Sequence, residues 1–296
     1  MILLTMCLIR YAVLPFFLKE TELSITWFVY LILAVICITA GGYVINDILD
    51  VEADKINKPN KVYIERSVSQ KRAKLYYILL TGLGMAFGTY LSFMVGNVVL
   101  SLFFSITAML LFLYTRFFKR ILLLGNILIS VLVSLPIFMM YIFETIETPQ
   151  YANFFELLGG IFSSIGMYVT VLYYMFFSFL STLIRELIKD IEDINGDHQM
   201  KMKTLPIVFG IRRARNLTIT LSITFIMSLI LISQVFVGNT DFFVLGIYNY
   251  VFLVLPLLYF MYVLWNAKTP KQFSFLSNYM KWIMLFGILS MLIFKF

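Results

Sequence analysis

Charge is scarce in this chain. Only 13% of its 296 residues are Asp, Glu, Lys or Arg, while 61% are apolar; a soluble domain carries about 25% charged residues. That shortage excludes a soluble globular fold. Histidine occurs once, at His198, and cysteine twice, at Cys7 and Cys37. One histidine and two cysteines exclude a zinc site built on His and Cys, which takes about four ligands, and a disulfide framework. Both cysteines lie in apolar runs, where they read as small buried hydrophobes, and His198, in a polar stretch, reads as solvated. Low-complexity linkers and long polar runs are also missing, so no soluble domain interrupts the chain. No polar signal-peptide architecture precedes the first apolar run.

What fills the chain is apolar sequence, with a mean hydropathy of +0.93. A membrane span needs about 20 such residues. Spans are predicted at 1–18, 25–45, 75–95, 98–115, 121–143, 157–184, 214–236, 243–264 and 279–295. The expected fold is therefore all-α: a polytopic membrane protein with nine transmembrane helices around a central cavity. Pro136 and Pro256 fall inside spans and predict kinks. Gly41 and Gly42 would let helix backbones approach closely.

The basic residues set the expected topology. Lys55, Lys58, Lys61, Arg66, Lys71, Arg72 and Lys74 follow the second span, and Arg116, Lys119 and Arg120 the fourth. Arg185, Lys189, Lys201, Lys203, Arg212, Arg213 and Arg215 surround the connection after the sixth; Lys268, Lys271 and Lys281 flank the last. The opposite connections, including 141–156 with Pro149, carry instead Glu144, Glu147, Glu156 and Asp241. By the positive-inside rule the basic side is cytoplasmic, which puts the N-terminus inside and the C-terminus outside the cell membrane. The net charge of +7 follows from this bias and favours anionic lipid; it makes no case for nucleic acid, and no obligatory protein partner is evident.

Among the few acids, a pattern occurs twice. Asp47, Asp50 and Asp54 repeat the D-x-x-D-x-x-x-D spacing of Asp190, Asp193 and Asp197, 143 residues apart. On a helix, positions i, i+3 and i+7 share a face, so each copy presents a ridge of three carboxylates. The ridges follow spans two and six. That offset suggests one domain over 1–296 with an internal duplication, about 1–115 and 121–264, plus a ninth helix. Six carboxylates crowded together need counter-charge. Mg²⁺ takes oxygen ligands and usually binds through one or two carboxylates together with substrate phosphates. Two facing ridges would thus hold a pyrophosphate through bridging metal ions, with Asp47, Asp50, Asp54, Asp190, Asp193 and Asp197 as metal ligands and catalytic residues. Nearby cations, Arg116, Lys119, Arg185, Lys189 and Lys201, are candidates for binding phosphate oxygens. Asn46 and Asn126 are neutral polar candidates at the same end. An ion pathway is a competing reading, since acids within spans mark those as well; here the acids sit at span ends.

These residues resemble the UbiA superfamily of intramembrane prenyltransferases from about residue 10 onward. Asn46-Asp47-x-x-Asp50-x-x-x-Asp54 is similar to its first motif and Asp190-x-x-Asp193-x-x-x-Asp197 to its second. Arg185-Glu186-x-x-Lys189-Asp190, Gly196-Asp197, Lys203-Thr204-Leu205-Pro206-Ile207 and Leu124-Gly125-Asn126 look like the digeranylgeranylglyceryl phosphate synthase branch. There are departures. Tyr114 and Lys119 stand five apart where the family commonly has Y-x-x-x-K. Asn57-Lys58-Pro59 is close to its N-R-P pattern without a later glycine. The chain also starts inside the first span, where the family has a further polar stretch with an asparagine.

The resemblance implies nine helices, two Mg²⁺ ions, a prenyl diphosphate donor and a lipophilic acceptor within the bilayer. Asn46, Tyr114, Arg116, Lys119, Arg185, Lys189 and Lys201 would contact the diphosphate. The acceptor implied by the branch is a geranylgeranylglyceryl-phosphate-type ether lipid. An aromatic acceptor of quinone biosynthesis is the alternative within the fold, and a cation transporter the alternative outside it. No residue stands out as a dedicated base.

Overall fold

In hydrocarbon each backbone N–H and C=O must find its partner within its own segment, and a helix does this for a single apolar run. The computed structural model describes residues 1–18, 23–145, 165–238 and 242–295. A short apolar helix, α1 (Ile2–Phe17), comes first, followed by α2 (Ile25–Asn57), α3 (Gln70–Met94), α4 (Val98–Arg116), α5 (Leu124–Glu144) and α6 (Gly166–Glu192). Two small helices, α7 (Ile194–Gln199) and α8 (Leu205–Phe209), form the next connection. Then come α9 (Ile211–Val237), α10 (Phe243–Asn266) and α11 (Pro270–Lys295). No β-strand occurs among the described residues. The nine expected spans correspond to eight helices of spanning length and the shorter α1, which is about 24 Å long at 1.5 Å per residue.

Three helices run well past the expected spans, all toward the basic connections. α2 continues to Asn57, α6 continues to Glu192, and α11 begins at Pro270. Hydropathy falls where charged residues begin, but nothing there breaks a helix. α2 stops only before Pro59, and α11 starts at a capping box of Thr269 and Gln272 with Pro270 in its first turn. Pro136 lies inside α5. Pro256 follows a π-helical turn at Tyr250–Val254, which accommodates the N–H that proline lacks. Gly41 lets α3 approach α2: a Cβ there would stand 2.4 Å from Thr81 Oγ1.

The basic connections meet at one end of the bundle. Lys203 N–H donates to Arg120 C=O at 3.1 Å, and Arg215 Nη1 to Ala267 C=O at 3.2 Å. Asn57 Nδ2 donates to Asp193 C=O at 2.9 Å. Toward the other end, Glu144 departs from the sequence expectation. It is not in a connection but on the last turn of α5, fully buried and paired with Arg10 of α1. The Arg10 guanidinium also donates to Leu23 C=O and lies 4.6 Å from the centre of the Phe28 ring. Leu23 N–H completes the arrangement with a 3.3 Å bond to Glu144. A charge pair so satisfied can be buried where either partner alone could not. Glu147, Glu156, Asp241, Pro149 and the first part of the sixth expected span, 157–164, lie outside the described residues.

Candidate functional site

The first carboxylate pattern lies wholly on α2, so Asp47, Asp50 and Asp54 do share a helix face. The second does not lie on one helix. α6 ends at Glu192, Asp193 adopts φ −94° and ψ 9°, and α7 then carries Asp197. What joins the pieces is Asn57, at the end of α2. Its amide donates to Asp193 C=O at 2.9 Å and accepts from Gly196 N–H at 2.8 Å. Gly196 is required for this approach: a Cβ would stand 2.4 Å from Asn57 Nδ2 and 2.8 Å from Ala53 C=O. The backbone groups freed by the break are thus satisfied by the first ridge's own helix.

Both patterns face a cavity of about 610 Å³ between α2, α4, α5, α6 and α11. All six ridge aspartates line it, as do Asn46, Tyr114, Lys119, Asn126, Arg185 and Lys189. Lys119, from the turn after α4, pairs with Asp50 and lies 3.5 Å from Asn46 Oδ1; Asn46 Nδ2 donates to Asp50 at 2.7 Å. Asn126 Nδ2 donates to Asp190 at 3.0 Å. Two residues expected at the site are elsewhere. Arg116 and Lys201 are exposed and do not line the cavity. Arg116 is two residues from Tyr114, and i, i+2 positions point to different faces of a helix. Lys201 stands in a left-handed turn after α7, with φ 54°.

Three charged lining residues were not among the expected site residues. Lys58 pairs with Asp193 at 2.7 Å. Glu186, buried, accepts from Arg185 at 2.6 Å and Lys189 at 3.2 Å. Lys281 of α11 also reaches the cavity. The presence of Asn57-Lys58 and Arg185-Glu186-x-x-Lys189 within the family-like stretches was the available signal.

The lining holds seven carboxylates against five cations. Asp50, Asp190 and Asp193 each have a protein donor, while the carboxylates of Asp47, Asp54 and Asp197 make no hydrogen bond or ion pair among the described residues. Burial, opposed in part by Lys119, pushes the Asp197 carboxyl up to about 6. Among the described residues no three acidic, imidazole or thiol groups close on one point. Mg²⁺ does not need such a cage, because it keeps waters and shares phosphate oxygens. An all-oxygen donor set with excess negative charge and three open carboxylates fits that mode of binding.

Comparison with known proteins agrees with this architecture. The UbiA prenyltransferase family matches residues 8–285. The digeranylgeranylglyceryl phosphate synthase of Methanosphaera stadtmanae is 29% identical over 88% of this chain and 86% of its own length. That of Saccharolobus solfataricus is 31% identical over 76% of this chain and 67% of its own. The fold is similar to that of a UbiA homologue from Archaeoglobus fulgidus, solved with GPP and Mg²⁺. That structure has a TM-score of 0.59 at 16% identity, covering 98% of this chain and 96% of the other.

Proposed function

The chain belongs to the UbiA prenyltransferase family, and from that premise we propose how this integral membrane prenyltransferase works. Its reaction moves a polyprenyl group from a prenyl diphosphate to a lipophilic acceptor. The acceptor we propose is a geranylgeranylglyceryl-phosphate-type ether lipid, the reading favoured by the names of the relatives. The observation that carries the proposed site is the convergence of two carboxylate patterns, 143 residues apart in sequence, on one cavity with interleaved cations.

Asp47, Asp50, Asp54, Asp190, Asp193 and Asp197 would hold two Mg²⁺ ions, in keeping with the Mg²⁺ and GPP of the Archaeoglobus homologue. Bound there, the metal supplies neutralisation of charge developing on the leaving group. Lys119, Lys58, Arg185 and Lys189 would bind diphosphate oxygens directly, and Glu186 would hold the last two in position. Asn46 and Asn126 orient Asp50 and Asp190. As the allylic C–O bond breaks, its electron pair stays on the diphosphate. The acceptor hydroxyl oxygen bonds to the allylic carbon and its proton passes to a ridge carboxylate or to pyrophosphate. Below the carboxylates the lining turns apolar, with Val35, Ile38, Phe104, Leu132 and Met139; these seat the isoprenoid tail and keep water from the cation. Arg116 and Lys201, exposed, would act in docking to anionic lipid rather than on the diphosphate.

The chain forms one domain of two four-span halves and a ninth span in this reading, with the basic connections cytoplasmic, the N-terminus inside and the C-terminus outside. Purified protein with labelled geranylgeranyl diphosphate and Mg²⁺ should release pyrophosphate. Asp47→Ala and Asp190→Ala should each lower that rate by about 10³-fold, the scale set by losing an electrostatic stabiliser of the leaving charge. Full turnover in both variants would remove the carboxylates from the reaction.

A further inference from the structure

One helix borders both the polar and the apolar part of the cavity. From the basic end inward, α2 presents Asp54, Asp50 and Asp47 to it, then Tyr43 and Thr39, and then Val35. Steps of three and four residues keep these positions on one side of the helix. Tyr43 lies four residues from Asp47 and eight from Val35, about 6 Å and about 12 Å along the axis. With the diphosphate at the carboxylates and the isoprenoid tail at the apolar residues, the bond that breaks falls at the level of Tyr43.

The side chain at that level is a ring left uncovered. Tyr43 is 69% exposed and makes no hydrogen bond, ring contact or cation contact among the described residues. The other rings lining the cavity are placed differently. Phe104 is a buried wall seated on Gly88, where a Cβ would stand 2.3 Å from the ring. Tyr114 is half-buried, and Tyr63 belongs to the connection beyond the carboxylates. The backbone leading to Tyr43 is held by close approach on two sides. Gly41 faces Thr81 of α3, and a Cβ on Gly42 would stand 3.1 Å from Leu111 of α4. With 3.6 residues per turn, the next side chain turns to the cavity. A ring held in place there with its face open offers that face to whatever the cavity binds. What the reaction brings to this level is a positive charge.

We propose that Tyr43 stabilises the allylic cation through the face of its ring. As the donor's allylic C–O bond breaks, the electron pair leaves with the diphosphate and the allyl group becomes positive. The π face carries the negative part of the ring's quadrupole. It attracts the cation without forming a bond, so the ring emerges unchanged. The charge is neutralised when the acceptor hydroxyl oxygen bonds to the allylic carbon and its proton passes to a ridge carboxylate or to pyrophosphate. The inference rests on the prenyl transfer proposed above and deepens it: metal and lysines serve the departing anion, and Tyr43 serves the group it leaves behind.

The test uses the purified full chain with Mg²⁺, geranylgeranyl diphosphate and a prenylglyceryl phosphate acceptor. Pyrophosphate release is followed in a single turnover with enzyme in excess, which separates chemistry from product release. Tyr43→Phe keeps the π face and should stay within about threefold of wild type, whereas Tyr43→Leu should be slower by about 10- to 30-fold, the worth of a cation–π contact shielded from water. Folding is spared in both, since the ring has no packing partner to lose. The enzyme concentration at half-maximal rate should stay within about twofold, because the contact forms only as charge develops. Fluorinated phenylalanines at position 43 keep the shape of the ring while weakening its face, so each added fluorine should slow the step further. Three results would overturn the assignment. A wild-type rate in Tyr43→Leu removes the ring from the reaction, a rate as low in Tyr43→Phe as in Tyr43→Leu assigns the effect to the hydroxyl, and a rate indifferent to fluorine makes the ring a steric wall. Absence of pyrophosphate release from the wild type with any prenyl diphosphate would instead overturn the reaction itself, so the two failures are distinct.

Discussion

Asp197 is buried and, unlike the ridge carboxylates on α2, belongs to a short helix outside the spans. Burial raises its carboxyl to about 6. A cation must displace that proton, so apparent Mg²⁺ affinity contributed by this group is full above about pH 6 and falls about tenfold per unit below it. Pyrophosphate release titrated with Mg²⁺ at pH 5, 6 and 7.5 should show the half-saturating concentration rising at the lowest pH. Asp197→Asn should lose that part of the slope. An identical slope in the variant would separate Asp197 from the cation site. At this scale the sequence was informative where spacing alone decides neighbours: the aspartates of the first pattern share a face because i, i+3 and i+7 must. It was silent on the partners of Lys58 and Asn57, which lie more than 130 residues away. It misplaced Arg116, two residues from Tyr114, because closeness along the chain is not closeness on a helix face.

The second carboxylate pattern is read as a continuous helix from its spacing, yet the structure divides it between α6 and α7. The reason is local. Ile194-Asn195-Gly196 weakens the helix, and Asn57 offers the interrupted backbone both an acceptor and a donor. Such a contact can only be seen once α2 and α7 are adjacent. It makes Gly196 the residue on which the register of the two patterns depends. Gly196→Ala would set a Cβ against Asn57 and Ala53 C=O, an overpacking that typically costs about 1–3 kcal/mol. α7 must then shift, and Asp193 and Asp197 with it. The expected result is a loss of more than about tenfold in kcat/KM, since small misplacements at a reacting centre cost that much or more. The detergent-solubilised protein should remain monodisperse, because no span is altered. Wild-type kcat/KM in Gly196→Ala would show that the exact seat of α7 on α2 does not matter to the reaction.

For the molecule as a whole, the spans were legible because hydrocarbon leaves an apolar run little choice but the helix. Their ends were not, because helix and bilayer end at different residues. α2, α6 and α11 all carry polar residues on helix that hydropathy leaves out, and these extensions build the cavity. The buried Arg10–Glu144 pair was equally hidden, since each charge alone reads as belonging to a connection. Sidedness is the remaining molecular-scale expectation. The connections after α2, α4, α6 and α10 gather at one end with most of the basic residues, which the positive-inside rule assigns to the cytoplasm. In a background of Cys7→Ala and Cys37→Ala, two single cysteines test it: Arg66→Cys in the connection after α2, and Val98→Cys at the start of α4, both at exposed positions. A membrane-impermeant maleimide added to intact cells should label position 98 and spare position 66; in inverted vesicles the pattern should reverse. Labelling of position 66 from outside would turn the molecule over. The carboxylates would then face away from the cytoplasm, so the donor diphosphate would have to be delivered from the outer face.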